Sequence, residues 1–109
     1  MARDEVESAY FTLLRAREEL DNLRRYEEFL RAEAQRLRRT TREGQALLGQ
    51  VDRRLVRAIR HTDQPLTDAI DARLRVLEEE GARLPDRIAA AEVHVEECDR
   101  EHTALKHGG

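Results

Sequence analysis

Three side chains that bind metals well are spaced four residues apart near the end of the sequence: His94, Cys98 and His102. On a helix, positions i, i+4 and i+8 lie along one face, and imidazole and thiolate are good ligands for zinc or another borderline metal. The outer two are separated by about 12 Å along a helix axis, too far to share one ion without distortion. We therefore expect no metal or cofactor, and we interpret these residues as core and surface positions of a helix. Two of the three side chains could still bind one metal ion together, so they stay candidate metal ligands.

Catalytic chemistry has little support elsewhere in the sequence. There is no Gly-rich phosphate loop, no nucleophile pattern and no stretch typical of a concave site. Glu27 is a possible general acid or base, but a pairing with His102 is the simpler interpretation. We predict that the chain is not an enzyme.

A second pattern is a run of arginines. Between positions 36 and 60 eight arginines stand against only two acidic residues, Glu43 and Asp52. Such a surface can bind phosphates with salt-dependent affinity, although no aromatic residues are interleaved for base stacking. We call it the arginine ridge and take six of its residues as a candidate face for nucleic acid or, preferably, a protein partner: Arg36, Arg39, Arg42, Arg53, Arg57 and Arg60.

The segment 63–71 is acidic, with Asp63, Asp68 and Asp71. Its Asp68-Ala-Ile-Asp71 spacing resembles the acidic coiled-coil tip of secondary-channel factors of bacterial RNA polymerase. The match covers four residues, and the zinc-binding cysteines that accompany the motif in that family are missing here. The resemblance implies an alternative function, a nucleic-acid-associated or transcription-associated regulator that uses the arginine ridge or this acidic segment.

These residues must be positioned by helices, because apolar residues repeat with 4-3 spacing from Val6 to Thr62. A stripe this narrow leaves water only when one helix lies along another. The a and d positions are Val6, Ala9, Leu13, Ala16, Leu20, Leu23, Glu27, Leu30, Ala34, Leu37, Thr41, Gly44, Leu48, Val51, Leu55, Ala58 and Thr62.

A second heptad register follows, with the a and d positions Thr67, Ile70, Leu74, Leu77, Gly81, Leu84, Ile88, Ala91, Val95, Cys98, His102 and Leu105. Two apolar seams joined by a short connection predict an antiparallel helical hairpin. The e positions of the first register include Arg17, Arg24, Arg31 and Arg38, and those of the second include Asp71, Glu78, Glu92 and Asp99. Folding about residue 64 or 65 pairs Arg31 with Asp99 and Arg38 with Glu92.

We expect one domain over residues 1–109, with helix 1 at about 4–62 and helix 2 at about 67–106. The turn at 63–66 is assigned to Pro65, because the residue before a proline avoids helical angles. Pro85 lacks an amide hydrogen and crowds the carbonyl of Gly81, so helix 2 is expected to kink or break near 81–85.

The two predicted arms are unequal, and the first twenty residues project past helix 2. This projecting segment has apolar residues on an adjoining face, wider than one partner helix covers. We therefore predict a homodimeric helical bundle, parallel or antiparallel. The residues expected to mediate self-association are Val6, Tyr10, Phe11, Leu13 and Leu14.

Composition agrees with an all-α interaction module. The chain has 109 residues, 39% of them hydrophobic and 39% charged, with no Trp. Residues 1–60 carry a net charge of +3 and residues 61–109 a net charge of −6. No apolar run approaches the ~18 residues of a membrane span, and the single cysteine excludes an intrachain disulfide. We expect a cytoplasmic, non-catalytic adaptor, scaffold or small regulatory subunit with an unidentified protein partner, and arginine-rich usage typical of a GC-rich bacterial genome.

Overall fold

The computed structural model describes residues 2–108, and these form two α-helices and no strand. Helix α1 spans Ala2–Leu48 (47 residues) and helix α2 spans Arg53–Gly108 (56 residues). The charges of Asp4 and Glu5 in the first turn of α1, and of Lys106 in the last turn of α2, suit the helix dipole. The predicted all-α helical hairpin is confirmed. Its arms are unequal in the opposite sense to the prediction, since α2 is the longer helix.

The connection between the helices consists of residues 49–52. The amide of Gly49 still donates to the carbonyl of Gln45 (3.2 Å), and the next two amides close tighter, three-residue turns. The carbonyl of Asp52 then accepts the first helical hydrogen bond of α2, from the amide of Val56 at 2.9 Å. Glycine is a poor helix former and aspartate is favoured at helix starts, so this sequence ends one helix and begins another.

The turn predicted at 63–66 is therefore wrong, and residues 63–66 lie inside α2. Pro65 removes one backbone hydrogen bond, but the side chain of Gln64 donates to Asp68 across it at 2.8 Å. The helix also passes through Pro85 without a break, next to Leu84, the most deeply buried side chain. Burial of Leu84 stabilises the helix at Pro85. Residues 61–69 around Pro65 are exposed, so packing does not explain the continuity of the helix there.

The helices form two compact units. The first unit joins residues 2–28 to residues 83–108. Its core contains Leu13 and Ala16 of α1 against Cys98 of α2, with Val95 packed at the edge. An ion pair between Arg17 and Asp99 (3.7 Å) flanks this core, and both side chains are about half exposed.

The second unit is residues 29–82, which include the turn. Its buried residues are Leu30, Ala34, Leu37 and Leu77. Arg38 of α1 contacts Glu78 of α2 at 3.3 Å. Among residues 41–74 no side chain is fully buried, and even the a and d positions are half-buried or exposed.

The pairing between helices differs from the predicted pairing by two heptads. Asp99 pairs with Arg17 instead of Arg31, and Arg38 pairs with Glu78 instead of Glu92. Each partner is displaced by fourteen residues. The predicted Glu27–His102 pair is likewise replaced, since the His102 ring lies against Tyr10 with 5.5 Å between ring centroids.

The prediction of a projecting N-terminal segment is also wrong. Asp4, Glu5 and Ser8 of α1 line a shallow hollow together with Glu101 and Leu105 of α2. The end of α2 thus lies beside the start of α1, because the turn comes earlier than predicted and α2 is the longer helix.

Candidate functional site

The residues predicted to mediate self-association fall into two groups. Leu13 is only 2% exposed and belongs to the intramolecular core, and Val6 is half-buried. The other three form an exposed cluster that we call the aromatic face: Tyr10, Phe11 and Leu14. Phe11 is 61% exposed, and its ring centroid lies 5.8 Å from that of Tyr10. A cluster of large apolar side chains left in water is typical of a contact surface.

The candidate metal ligands are not brought together as a set of three. The sulfur of Cys98 lies 3.7 Å from Nε2 of His94, while the His102 ring lies against the Tyr10 ring at a tilt of 45°. Cys98 is a buried, free thiol of the first unit. Within residues 2–108 no group of three or more His, Cys, Asp or Glu side chains is arranged to hold a metal ion.

The arginine ridge lies on both sides of the turn, at the end of α1 and the start of α2. Arg36 pairs with Glu33 at 2.9 Å, three residues earlier on the same helix. The other five candidate arginines are exposed and have no ion pair within the described part of the chain: Arg39, Arg42, Arg53, Arg57 and Arg60.

The Glu33–Arg36 pair changes the acidity of both groups. The hydrogen bond from Arg36 lowers the pKa of Glu33 below its usual value; partial desolvation opposes this, and the charges of Arg36 and Arg73 reinforce it. The same hydrogen bond raises the pKa of Arg36. Arg36 is thereby committed to a partner on its own helix, unlike the other arginines of the ridge.

The acidic segment 63–71 is not at the tip of the hairpin. Asp63, Asp68 and Asp71 lie within α2, beginning ten residues after its start. Asp68 accepts the hydrogen bond of Gln64 described above. These residues therefore do not form an acidic tip, and the residues that do occupy the turn are Gly49, Gln50, Val51 and Asp52.

A groove between α1 and α2 in the second unit was not predicted from the sequence. It encloses about 560 Å³, and we call it the turn-end groove. A Cβ atom built on Gly44 would meet nothing within 4 Å, so the seam leaves open space at this level. Thr41 and Gly44 at consecutive seam positions are the sequence signal, since neither fills the space that a leucine would. The groove is lined by Thr40, Thr41, Gly44, Gln45, Leu47, Leu48, Val51, Ile59, Arg60, Asp63, Gln64, Leu66, Thr67 and Ile70.

Neither helix contains, over the described residues, a stretch long and apolar enough to cross a membrane. Comparison with known proteins gives no further assignment: no family model, no curated protein sequence and no solved structure matches this chain.

Proposed function

We propose that the chain is a non-catalytic protein–protein interaction module, an adaptor, scaffold or small regulatory subunit, that associates with a second copy of itself. The observation that carries this proposal is the exposure of the aromatic face: Phe11 61%, Tyr10 44% and Leu14 39%. Leu13, on the same turn of helix, already supplies the intramolecular contact. Tyr10, Phe11 and Leu14 lie outside that core cluster: Tyr10 contacts His102 with one part of its ring, and all three side chains keep exposed surface for a partner.

Burial of the aromatic face in a contact is favourable in free energy. Each large apolar side chain that leaves water contributes roughly 1.5–3 kcal/mol, and aromatic residues dominate the binding energy of interfaces. The Tyr10 and Phe11 rings also support each other in a tilted arrangement, so little side-chain entropy is lost on binding.

Light scattering coupled to size-exclusion chromatography tests the proposal on the full chain at tens of micromolar. We expect a mass of about twice the 12.7 kDa of one chain. Phe11→Glu should give a monomer that keeps its helical circular dichroism, because a charge would otherwise be buried at the contact. Ala104→Glu, at an exposed position of α2 in the same unit, is the matched control and should remain dimeric. A monomeric wild-type protein would refute self-association.

A second candidate function is nucleic-acid binding through the arginine ridge, favoured by the five exposed arginines that lack an ion pair. Here the affinity should fall steeply between low and moderate salt, as counterions are released from phosphates. A mobility-shift assay at two salt concentrations distinguishes the candidates. No shifted band at low salt rules out the ridge as a nucleic-acid surface, whereas Phe11→Glu leaves a genuine shift unchanged.

A further inference from the structure

The turn-end groove is an incomplete core. Leu48, Ile59 and Ile70 are only half-buried along its floor, and Leu47 and Leu66 on its rims are 65% and 61% exposed. In the rest of the second unit the seam is closed by Leu30, Ala34, Leu37 and Leu77. Apolar walls that do not meet leave room for side chains from outside the hairpin.

The charges of the two units indicate what fits the groove. The sequence assigned to the first unit has 14 acidic and nine basic residues, a net charge of −5, whereas the second unit has nine acidic and 11 basic residues, a net charge of +2. Arg60 and Asp63 both line the groove, and Arg39, Arg42 and Arg57 are close to its lining residues in the sequence, so arginines outnumber carboxylates there. An apolar groove with unpaired arginines beside it suits an apolar helix face that is flanked by carboxylates.

The chain itself contains such a face. Asp4, Glu5 and Glu7 precede the aromatic face, and Glu18 and Glu19 follow it. Glu7 contacts Arg3 at 3.5 Å, and the other four have no ion pair within the described residues. The acidic flanks and the exposed rings lie on one helix, α1, in the first unit.

We propose that the aromatic face of one copy occupies the turn-end groove of a second copy, with its acidic flanks against the arginine ridge. This inference rests on the self-association proposed above and specifies its geometry. In a twofold dimer the face–groove contact occurs twice, because the first unit of each chain contacts the second unit of the other. A dimer in which the aromatic faces of two copies contact each other would instead bring two negatively charged first units together, and their repulsion would weaken it.

Groove variants test the inference separately from self-association. Leu66→Glu and Leu47→Glu change exposed side chains on different helices, so each should fold normally and weaken dimerisation about tenfold or more. Ala46→Glu is the matched control: it is exposed, adjacent to Leu47 and not part of the groove lining, and should dimerise like the wild type. If both groove variants dimerise like the wild type while Phe11→Glu is monomeric, self-association stands and the face–groove contact is wrong.

A mixing experiment supplies the second arm. Phe11→Glu retains an intact groove and Leu66→Glu retains an intact aromatic face, so the mixture can form one complete contact. Phe11→Glu carries a fluorescent label at its carboxyl end and is titrated with unlabelled Leu66→Glu or, in a second titration, with unlabelled Phe11→Glu. We expect the anisotropy of the label to rise with Leu66→Glu at about tenfold lower concentration of the unlabelled protein than with Phe11→Glu. Equal titration curves with the two partners would overturn the proposal, and a monomeric wild-type chain would overturn it together with self-association.

Discussion

Arg17 of α1 lies 3.7 Å from Asp99 of α2, Nη2 to Oδ1. The heptad pattern predicts Arg31 as the partner of Asp99, exactly fourteen residues further along the chain. A displacement of two heptads returns every a, d and e position to an equivalent position, so apolar packing and charge pairing look alike in both registers. Only the position of the turn distinguishes them.

The turn position can be tested with two prolines that each remove one arginine. Arg53→Pro falls on the first residue of α2, where proline is favoured, and should change the free energy of unfolding little. Arg57→Pro falls inside α2 and should cost about 3 kcal/mol. Urea unfolding followed by circular dichroism measures both. Equal, large losses would show that residues 53 and 57 share one uninterrupted helix with α1.

The register itself is accessible to a double-mutant cycle. Removing Arg17 and Asp99 singly and together should reveal a coupling energy of about 0.2–1 kcal/mol, as for other exposed pairs. The same cycle on Arg31 and Asp99 should give a coupling of zero within error. Added salt should reduce the first coupling, because the pair is about half exposed. A coupling energy between Arg31 and Asp99, with none between Arg17 and Asp99, would show that the helices pair in the register predicted from the heptads.

The core of the first unit gives a prediction about stability. Leu13 is 2% exposed, and Leu13→Ala should destabilise the hairpin by about 2–5 kcal/mol, through lost burial and the cavity left beside Cys98. Val93→Ala changes a side chain that is 51% exposed and should cost less than about 0.5 kcal/mol. Thermal unfolding of the two variants makes the comparison. Similar losses would mean that Leu13 does not lie in the core.

Glu33 and Arg36 give a pH-dependent prediction. Since the pKa of Glu33 is lowered in the folded chain, the pair stabilises the fold above the ordinary glutamate pKa, and this contribution is lost as the pH falls through the lowered value. NMR titration should find that Arg36→Gln raises the pKa of Glu33 towards normal. Gln35→Glu would serve as an internal reference, an exposed glutamate on the same turn. An unchanged Glu33 titration in Arg36→Gln would contradict the role of this hydrogen bond.

The sequence was sufficient for the fold class but not for the placement of its turn. Leu48, Val51 and Leu55 continue the apolar seam straight through the real connection, so the heptads conceal the end of α1 at Gly49. Pro65 is the more conspicuous local signal, yet α2 continues through it, although residues 61–69 are exposed. Local propensity therefore pointed to the wrong break.

The exposed aromatic face was predictable from the sequence, whereas the turn-end groove was not, because the position of the turn was unknown. Tyr10, Phe11 and Leu14 were placed correctly on an exposed face, because their positions relative to the seam follow from helical periodicity alone. Leu13 was misassigned to self-association, since that depended on where α2 ends. The turn-end groove depends on how closely two helices approach near Gly44, which the apolar pattern does not specify.

The open space beside Gly44 also bears on the order in which the hairpin comes apart. Side chains around the turn are half-buried, whereas Leu13, Ala16 and Leu84 are sealed. Backbone amides of residues 41–74 should then exchange with deuterium through small, frequent openings, while those around Leu84 exchange only when the whole chain unfolds. Residues 41–74 would therefore unfold locally before the rest of the hairpin. A partner that occupies the turn-end groove would slow amide exchange more in this segment than elsewhere.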